Sequence, residues 1–462
     1  MSDISCKLLI VGAGPGGYVA GIRAGQLGVD TVVVDAKALG GTCLNVGCIP
    51  SKALIHAADE FEKANHFAHQ NALGISNSAP EIDLRKTVAW KDGVVSQLTG
   101  GVGALLKKAK VTVVPGWAKF IDGKTVRVEG EDGTTTIHAE TICIATGSAS
   151  TELPNLPFGG DILSSTEALS MPEVPKSLAV VGAGYIGLEL GMAYAKFGSK
   201  VTVVELQDRI LPLYDKELTK PVANRLKDLG IDVKLGFKAA SHADGQLKIT
   251  NVNGDTEEVD AAKVLVTVGR RPATEGLGLE NLVLDMDGPF IKVDERCQTT
   301  MAGVYAIGDV TGEPMLAHRA MAQGEMIAEI IAGEGRVWDK VVIPAICFTD
   351  PEIISAGLSP DDAKNAGIDV VTASFPFAAN GRSLSMERSD GFVRVVARKD
   401  NHLILGLQAV GKGCAELAST FGIAMEMGAR LEDVGGTIHA HPSQGEALQE
   451  AALRSLGSAL HI

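Results

Sequence analysis

The stretch LLIVGAGPGG, residues 8–17, joins a short apolar run to a turn rich in glycine. An Ala-rich helical pattern follows over residues 18–27, and a second apolar run, residues 31–34, ends at Asp35. This order of strand, tight turn, helix, strand and acid is typical of a βαβ unit that binds a dinucleotide. The first glycine makes the turn, the second lets the backbone approach a pyrophosphate, and the third allows the helix to pack closely. The residues predicted to contact the dinucleotide are Gly12, Gly14, Gly17 and Asp35.

A second copy of this unit lies further along the chain. Its turn is GAGYIG, residues 182–187, which starts 170 residues after Gly12, and its acid stands 170 residues after Asp35. One such glycine motif is weak evidence, but two copies in the same strand and helix context argue strongly against unrelated turns. The residues predicted to contact a second dinucleotide are Gly182, Gly184, Gly187 and Glu205.

The composition is that of an ordinary globular protein with several domains. The 462 residues suggest two to four domains, and the 54 glycines are more than average. The formal net charge of −14 argues against nucleic acid or an anionic membrane surface as a general partner. The seven cysteines are spread too thinly for a secreted disulfide framework. The first apolar run begins close to the start, so we expect no signal or transit segment and a cytoplasmic location.

The sequence between and after the two units indicates further domains. A Pro-rich connection at residues 153–158 marks a boundary. From about Pro344 the pattern changes to alternating strands followed by two helical stretches, which is typical of an α+β domain. The predicted fold class is therefore α/β, with two Rossmann-like dinucleotide-binding domains, a central domain and an α+β C-terminal domain. The predicted ranges are 1–150, 151–272, 273–343 and 344–462.

Two cysteines follow the first unit in the segment GGTCLNVGCIPSK, residues 40–52. Cys43 and Cys48 are five residues apart, which in a regular helix is a rise of about 7.5 Å and too far for a disulfide. A bridge would need a distorted turn, which Gly47 permits. The alternatives are two buried thiols or half of a zinc site, although no second pair with zinc spacing is found. The other cysteines stand singly and are predicted to be small buried apolar residues: Cys6, Cys143, Cys297, Cys347 and Cys414.

A polar cluster rich in histidine, HAHPSQGE at residues 439–446, lies near the C-terminus. Three interpretations remain open. His439 and His441 are spaced as metal ligands on an extended chain, although the rest of a ligand set is missing. They are alternatively ordinary surface histidines. A nearby carboxylate such as Glu446 also suits a general acid/base, because it selects the imidazole tautomer and holds its pKa near the working pH.

Taken together, these motifs resemble the pyridine nucleotide-disulfide oxidoreductases over nearly the whole chain, and residues 40–52 look like their dihydrolipoamide dehydrogenase branch. The resemblance implies that the first unit binds FAD and the second binds NAD. It implies a redox-active disulfide in which Cys43 faces the substrate and Cys48 reacts with the flavin. Lys52 is implied to lie near the flavin and to pair with Glu189.

The same resemblance implies further site residues and a partner subunit. Additional cofactor contacts are implied at Gly41, Thr42, Lys52, Ala118, Thr146, Gly147, Asp309 and Ala317 for FAD, and at Gly269 for NAD. His441, oriented by Glu446, is implied to be the acid/base of the other subunit's active site, which makes the protein a homodimer. The four ranges become an FAD-binding domain, an NAD-binding domain, a central domain that completes the FAD site, and an interface domain.

The implied activity is oxidation of protein-bound dihydrolipoamide with NAD⁺, and the implied partner is the lipoyl domain of a 2-oxo acid dehydrogenase complex or a glycine cleavage system. The alternatives are a glutathione or mercuric reductase-like enzyme, which shares the cysteine pair, and a non-catalytic flavoprotein binding subunit. Glu205 argues against the NADPH of glutathione reductase, because a 2′-phosphate would meet a carboxylate. A binding subunit would not need the thiol pair together with His441 and Glu446.

Overall fold

The computed structural model describes residues 2–462, and its first sheet is built around the glycine turn at residues 12–17. The elements of this unit are β1 (Ser2–Val11), α1 (Pro15–Gln26), β2 (Thr31–Asp35), α2 (Gly41–Val46), α3 (Cys48–Phe67), α4 (Leu84–Lys108), β3 (Thr112–Pro115), β4 (Trp117–Phe120), β5 (Thr125–Gly130) and β6 (Gly133–Ile144). The strand order is β3-β2-β1-β6-β5-β4, and β1 runs parallel to both β2 and β6. Its central strands are apolar because helices cover the sheet.

The second sheet repeats this arrangement around the turn at residues 182–187. The elements that follow along the chain are β7 (Ser148–Ser150), β8 (Ile162–Leu163), α5 (Ser165–Ala168), β9 (Ser177–Val181), α6 (Tyr185–Lys196), β10 (Lys200–Glu205), α7 (Lys216–Asp228), β11 (Asp232–Leu235), β12 (Phe237–Ala243), β13 (Gln246–Asn251), β14 (Thr256–Asp260), β15 (Lys263–Val266) and β16 (Arg270–Pro272). The parallel order is β11-β10-β9-β15-β8, and β12 to β14 form a separate antiparallel sheet. In the described part of the chain, no helix has the length and apolar character needed to cross a bilayer.

The segment after β16 packs back on the first unit. It contains β17 (Met286–Asp287), β18 (Phe290–Ile291), β19 (Val304–Ala306) and α8 (Ala317–Ala332). β19 pairs in parallel with β6, so a strand from residue 304 onward extends the first sheet. Helix α8 lies so close to α1 that a Cβ on Gly324 would stand 2.3 Å from the carbonyl oxygen of Gly16. Residues of the predicted central range thus contribute directly to the first nucleotide unit.

The C-terminal part has a sheet and a core of its own. Its elements are β20 (Ala345–Cys347), β21 (Glu352–Gly357), α9 (Pro360–Asn365), β22 (Val370–Pro376), α10 (Gly381–Ser385), β23 (Phe392–Arg398), β24 (Ile404–Gly411), α11 (Ala418–Glu426), α12 (Leu431–Gly436) and α13 (Glu446–Ser455). The antiparallel order is β20-β21-β24-β23-β22. The expectation of two helices after the last strand is wrong, because a turn at Gly428, with φ of +64°, separates α11 from α12. The α/β class is confirmed, whereas the boundaries at 150, 272 and 343 stay predictions.

Candidate active site

The first glycine turn has the close backbone contacts that a pyrophosphate cradle requires. A Cβ on Gly12, whose φ is +106°, would stand 2.3 Å from the carbonyl oxygen of Ala145, and one on Gly17 would stand 1.8 Å from the carbonyl oxygen of Gly12. Gly41 lies against Gly14, since its Cβ would be 2.5 Å from the Gly14 Cα. The start of α1 therefore presents backbone N–H groups with no side chains of the glycines over them, which suits the phosphates of FAD.

The second glycine turn has the same backbone contacts as the first, with more open space around its middle glycine. A Cβ on Gly182 would stand 2.6 Å from the carbonyl oxygen of Thr267, and one on Gly187 would stand 2.3 Å from that of Gly182. No atom lies within 4 Å of the Cβ position at Gly184, so the start of α6 leaves room for a ligand. This geometry suits the pyrophosphate of NAD.

The acids that end β2 and β10 occupy equivalent positions. Asp35 accepts a hydrogen bond of 2.6 Å from the N–H of Ala13, and Glu205 accepts one of 2.6 Å from the N–H of Ala183. The second carboxylate oxygen of Glu205 accepts from the N–H of Gln207 at 2.8 Å. Each carboxylate retains further lone pairs, which can accept the hydroxyls of a ribose. The two acids are thus held beside their glycine turns, as the repeat predicts.

Gly47 supplies the break that brings the two thiols together. Helix α2 ends at Val46 and α3 begins at Cys48, and Gly47 between them has φ of −139° and ψ of −113°. A Cβ at this position would stand 2.8 Å from the carbonyl oxygen of Thr42. Because the helix is interrupted, the thiols of Cys43 and Cys48 lie close enough to interact. All seven cysteines are free thiols here, and the five single ones are buried as predicted.

The two thiols differ in acidity. The hydrogen bond from Cys43 lowers the pKa of Cys48 to about 7, and the nearby Lys52 ammonium adds to this against the opposing effect of burial. The pKa of Cys43 is raised, because its proton is shared with Cys48 and its sulfur is buried. In the reduced protein the thiolate is therefore favoured at Cys48.

Lys52 and Glu189 form the ion pair that the family resemblance implies. The Nζ of Lys52, one turn after Cys48 on α3, donates to Glu189 Oε2 at 2.8 Å, and Glu189 on α6 is 4% exposed. The other oxygen of Glu189 accepts from the N–H of Phe348 at 2.8 Å. The ring of Phe348 lies under the ammonium, with 4.5 Å from Nζ to the ring centroid. No sequence signal pointed to Phe348.

The histidine cluster forms an oriented pair at the surface. The Nδ1 of His441 lies 2.8 Å from Oε1 of Glu446, the first residue of α13, and the other oxygen of Glu446 accepts from the N–H of Ser443 at 2.7 Å. Burial raises the pKa of Glu446, but these hydrogen bonds outweigh burial and hold it below its usual range. An ionised Glu446 selects the tautomer with hydrogen on Nδ1, which leaves Nε2 as a base. The His441 side chain is 79% exposed, whereas His439 bonds to the Thr437 carbonyl instead.

Two of the remaining predicted cofactor residues, Thr146 and Asp309, contact segments close to the end of β6. Thr146 donates from Oγ1 to the carbonyl of Ala273 at 2.8 Å, and Asp309 accepts from Ser148 Oγ at 2.5 Å. Ser148 also accepts from Arg270 Nε at 2.8 Å, so two residues absent from the sequence prediction orient Asp309. The other positions have these places: Ala118 is buried in β4, Gly147 and Gly269 are in loops with positive φ, Thr42 is in α2, and Ala317 begins α8. Their roles in cofactor binding stay predictions.

Comparison with known proteins agrees with this site. Residues 6–324 match the family pyridine nucleotide-disulphide oxidoreductase, and residues 343–452 match its dimerisation domain. The chain is 60% identical to a dihydrolipoyl dehydrogenase of Pseudomonas aeruginosa over the full length of both chains, and 47% identical to one of Geobacillus stearothermophilus over 99% of this chain and 98% of that one. The solved structure of LpdA from Mycobacterium tuberculosis superposes with a TM-score of 0.89 and 27% identity, covering 98% of this chain and 99% of that one. The chain therefore belongs to the pyridine nucleotide-disulphide oxidoreductase family.

Proposed function

We propose that the chain oxidises the dihydrolipoyl group of a partner protein's lipoyl domain and transfers the electrons through FAD to NAD⁺. The chain is a flavoprotein oxidoreductase of the dihydrolipoyl dehydrogenase type, which its end-to-end identity of 60% to a protein of that name supports. The observation that carries the mechanism is the thiol pair at the break between α2 and α3, where the ion-paired ammonium of Lys52 belongs to the helical turn that follows Cys48. That asymmetry gives the two sulfurs different tasks.

The chemistry begins at the sulfur that faces the substrate. With Cys43 and Cys48 joined as a disulfide, Nε2 of His441 removes a proton from one substrate thiol, and the resulting thiolate attacks the sulfur of Cys43. The S–S bond of the protein breaks, and its electron pair remains on Cys48 as a thiolate. The second substrate thiol then attacks the mixed disulfide and expels Cys43, and its proton passes to the leaving Cys43 sulfur. The substrate dithiol is thereby oxidised to a cyclic disulfide while the protein disulfide is reduced.

The protein's remaining task is to hold its cofactors beside this thiol. When bound, FAD supplies the redox chemistry that takes the electron pair from the dithiol to NAD⁺. The turn at Gly12 to Gly17, with Asp35, would hold the adenosine end of FAD, and Asp309 would hold its ribityl chain. Glu205 would accept from the NAD ribose, and because it is buried beside the turn it disfavours a 2′-phosphate. This disfavours a glutathione reductase-like activity with NADPH.

We infer that the active site is shared between two copies of the chain. The match to the family's dimerisation domain supports a homodimer. Large apolar side chains in this part of the chain are exposed, with Ile423 at 60%, Met427 at 80% and Ile438 at 95%, which is typical of an interface. His441, close to Ile438, is exposed with its Nε2 free to reach a second subunit's Cys43. The thinly spread single cysteines support the reducing cytoplasm as the location.

The decisive experiment is an anaerobic titration of the purified holoenzyme with dihydrolipoamide. We expect a long-wavelength charge-transfer band from the Cys48 thiolate to the oxidised flavin after two electrons are added. NAD⁺ should then discharge the band, and NADP⁺ at the same concentration should not. Reduction by glutathione with discharge by NADP⁺ would instead favour the alternative activity, and the absence of any reaction with dihydrolipoamide would contradict the proposal.

A further inference from the structure

Phe348 contacts both members of the Lys52–Glu189 pair. Its backbone N–H donates to one oxygen of Glu189 at 2.8 Å, and its ring centroid lies 4.5 Å from the ammonium of Lys52. One residue of the C-terminal part thus holds the anion with its main chain and the cation with its side chain. We infer that Phe348 is a positioning residue, whose ring keeps the Lys52 ammonium beside Cys48 and so promotes ionisation of that thiol. This inference rests on the proposed function of the thiol pair.

The place of Phe348 is set by buried ion pairs next to it. Asp350, 6% exposed, accepts a hydrogen bond of 2.7 Å from the Nζ of Lys196 on α6. The same ammonium donates to Asp59 on α3 at 2.5 Å. These contacts tie the segment that carries Phe348 to the helix of Lys52 and to the helix of Glu189. The ring therefore has a defined position relative to the thiols.

The ring of Phe348 matters because the Lys52 side chain can adopt other rotamers. The Lys52 side chain is 33% exposed, and its four-carbon stem is flexible. An aromatic face attracts an ammonium within about 6 Å of its centroid, and this attraction lowers the population of rotamers that point into solvent. Without the ring, the Glu189 carboxylate would still attract Lys52, but the ammonium would spend more time away from Cys48. The thiolate would then lose part of its electrostatic support.

The charged and titratable groups around Cys48 determine how loss of the Phe348 ring can change the ionisation of this thiol. Those described around it are the Cys43 thiol, the Tyr18 hydroxyl, the Lys52 ammonium and the Glu189 carboxylate. Cys43 and Lys52 favour the Cys48 thiolate, whereas Glu189 opposes it. A change at Phe348 leaves the identity of all four groups intact. Because Phe348→Leu keeps the backbone N–H that holds Glu189 and removes only the ring, its effect on Cys48 acts through the position of Lys52.

The test uses the holoenzyme with Cys43→Ser as the common background. Serine keeps a hydroxyl donor next to Cys48 and prevents the disulfide, so the charge-transfer band titrates with the Cys48 thiolate. We would record that band against pH for the background alone and with Phe348→Leu or Phe348→Tyr. Leucine keeps the backbone N–H to Glu189 and removes the ring. We expect it to raise the midpoint of the band by about 0.5 to 1 pH unit, and tyrosine, which keeps the ring, to leave it unchanged.

A matched control comes from a second phenylalanine that lies under a cation. Phe392 faces the guanidinium of Arg394 at 5.8 Å in the C-terminal sheet, so Phe392→Leu removes a similar contact elsewhere and should not move the midpoint. If Phe348→Leu does not retain FAD, Phe348→Met, with its flexible unbranched side chain, replaces it. An unchanged midpoint in the ring-less variant would overturn the role of Phe348. A Cys43→Ser protein with no band at any pH would instead contradict the thiol assignment in the proposed function.

Discussion

Replacing Lys196 by Met tests how strongly the buried charges between the chain's units stabilise the fold. The Lys196 side chain is 3% exposed, and its Nζ lies 2.5 Å from Asp59, 3.1 Å from Glu62 and 2.7 Å from Asp350. Methionine keeps most of the apolar stem and removes the charge. Three carboxylates from two separate parts of the chain then lose the cation that they share.

The size of the loss in stability depends on the other ion pairs that these carboxylates retain. Removing one partner of a buried ion pair costs about 3 to 5 kcal/mol. The lower end applies here, because Asp350 keeps Arg225 and Arg388, and Asp59 keeps Lys412. A loss of about 3 kcal/mol corresponds to a fall in Tm of roughly 3 to 10 °C, and the larger value applies if the domains unfold separately.

Differential scanning calorimetry of the FAD-loaded protein at pH 7 measures this fall. The matched control is Lys200→Met, because Lys200 is 68% exposed and its ion pair with Asp260, at 2.7 Å, is screened by solvent. We expect the control to retain the Tm of the parent. Equal Tm values for the two variants would refute the claim that the Lys196 cluster stabilises the fold.

The pH dependence of the difference in Tm between the parent protein and Lys196→Met gives an independent check. Lys196, Arg388 and Arg225 hold the pKa of Asp350 well below its usual range, although burial opposes them. A depressed carboxyl pKa contributes stability above the unfolded pKa of about 4, and this contribution is lost as the pH falls below that value. In Lys196→Met the carboxylates that have lost this cation take up protons more readily over the same range. The difference in Tm should therefore stay constant from pH 7 down to about pH 4 and narrow as the pH falls further, and a difference that does not narrow below pH 4 would contradict this assignment.

The remaining predictions concern the chemistry. The ratio of kcat/KM for NAD⁺ to that for NADP⁺ should be about 100 or more, because Glu205 opposes a 2′-phosphate; equal values would contradict this. Anaerobic spectra should show the charge-transfer band in Cys43→Ser without any reductant and no band in Cys48→Ser, and the reverse result would exchange the roles of the sulfurs. Steady-state assays of His441→Gln should show dihydrolipoamide turnover lowered by about 10² or more with FAD retained. Mixing His441→Gln with Cys43→Ser subunits should restore activity at one site of each mixed dimer, and mixed dimers, identified by native mass spectrometry, that stay inactive would rule out a shared site.

The sequence predicts those parts of the site that are written in short motifs. The two glycine turns, their acids and the thiol pair each lie within about 25 residues, and local backbone geometry decides how they fold. The pairing of Lys52 with Glu189, 137 residues apart, followed from the resemblance to a family rather than from any pattern in the residues.

Other features could not be predicted because they depend on the packing of distant segments. Phe348 reaches Lys52 only because β20 and the ion pairs around Asp350 place its segment against α3. The sheet of β12 to β14 could not be predicted because its strands are largely exposed or half exposed, so their apolar alternation is weak. The positions of Ser148 and Arg270 beside Asp309 likewise arise from the pairing of β7 with β16.

The acid that ends β10 also affects how the chain can vary over evolutionary time. Glu205 receives hydrogen bonds from the backbone N–H of Ala183 in its glycine turn and from that of Gln207. A substitution that admits a different nucleotide would remove this support from the turn at the same moment. The preference for NAD and the local order of the glycine turn that holds it therefore depend on the same residue and change together. A lineage changing its electron acceptor would first need new groups to hold the turn, so the order in which substitutions arise would decide whether the change succeeds.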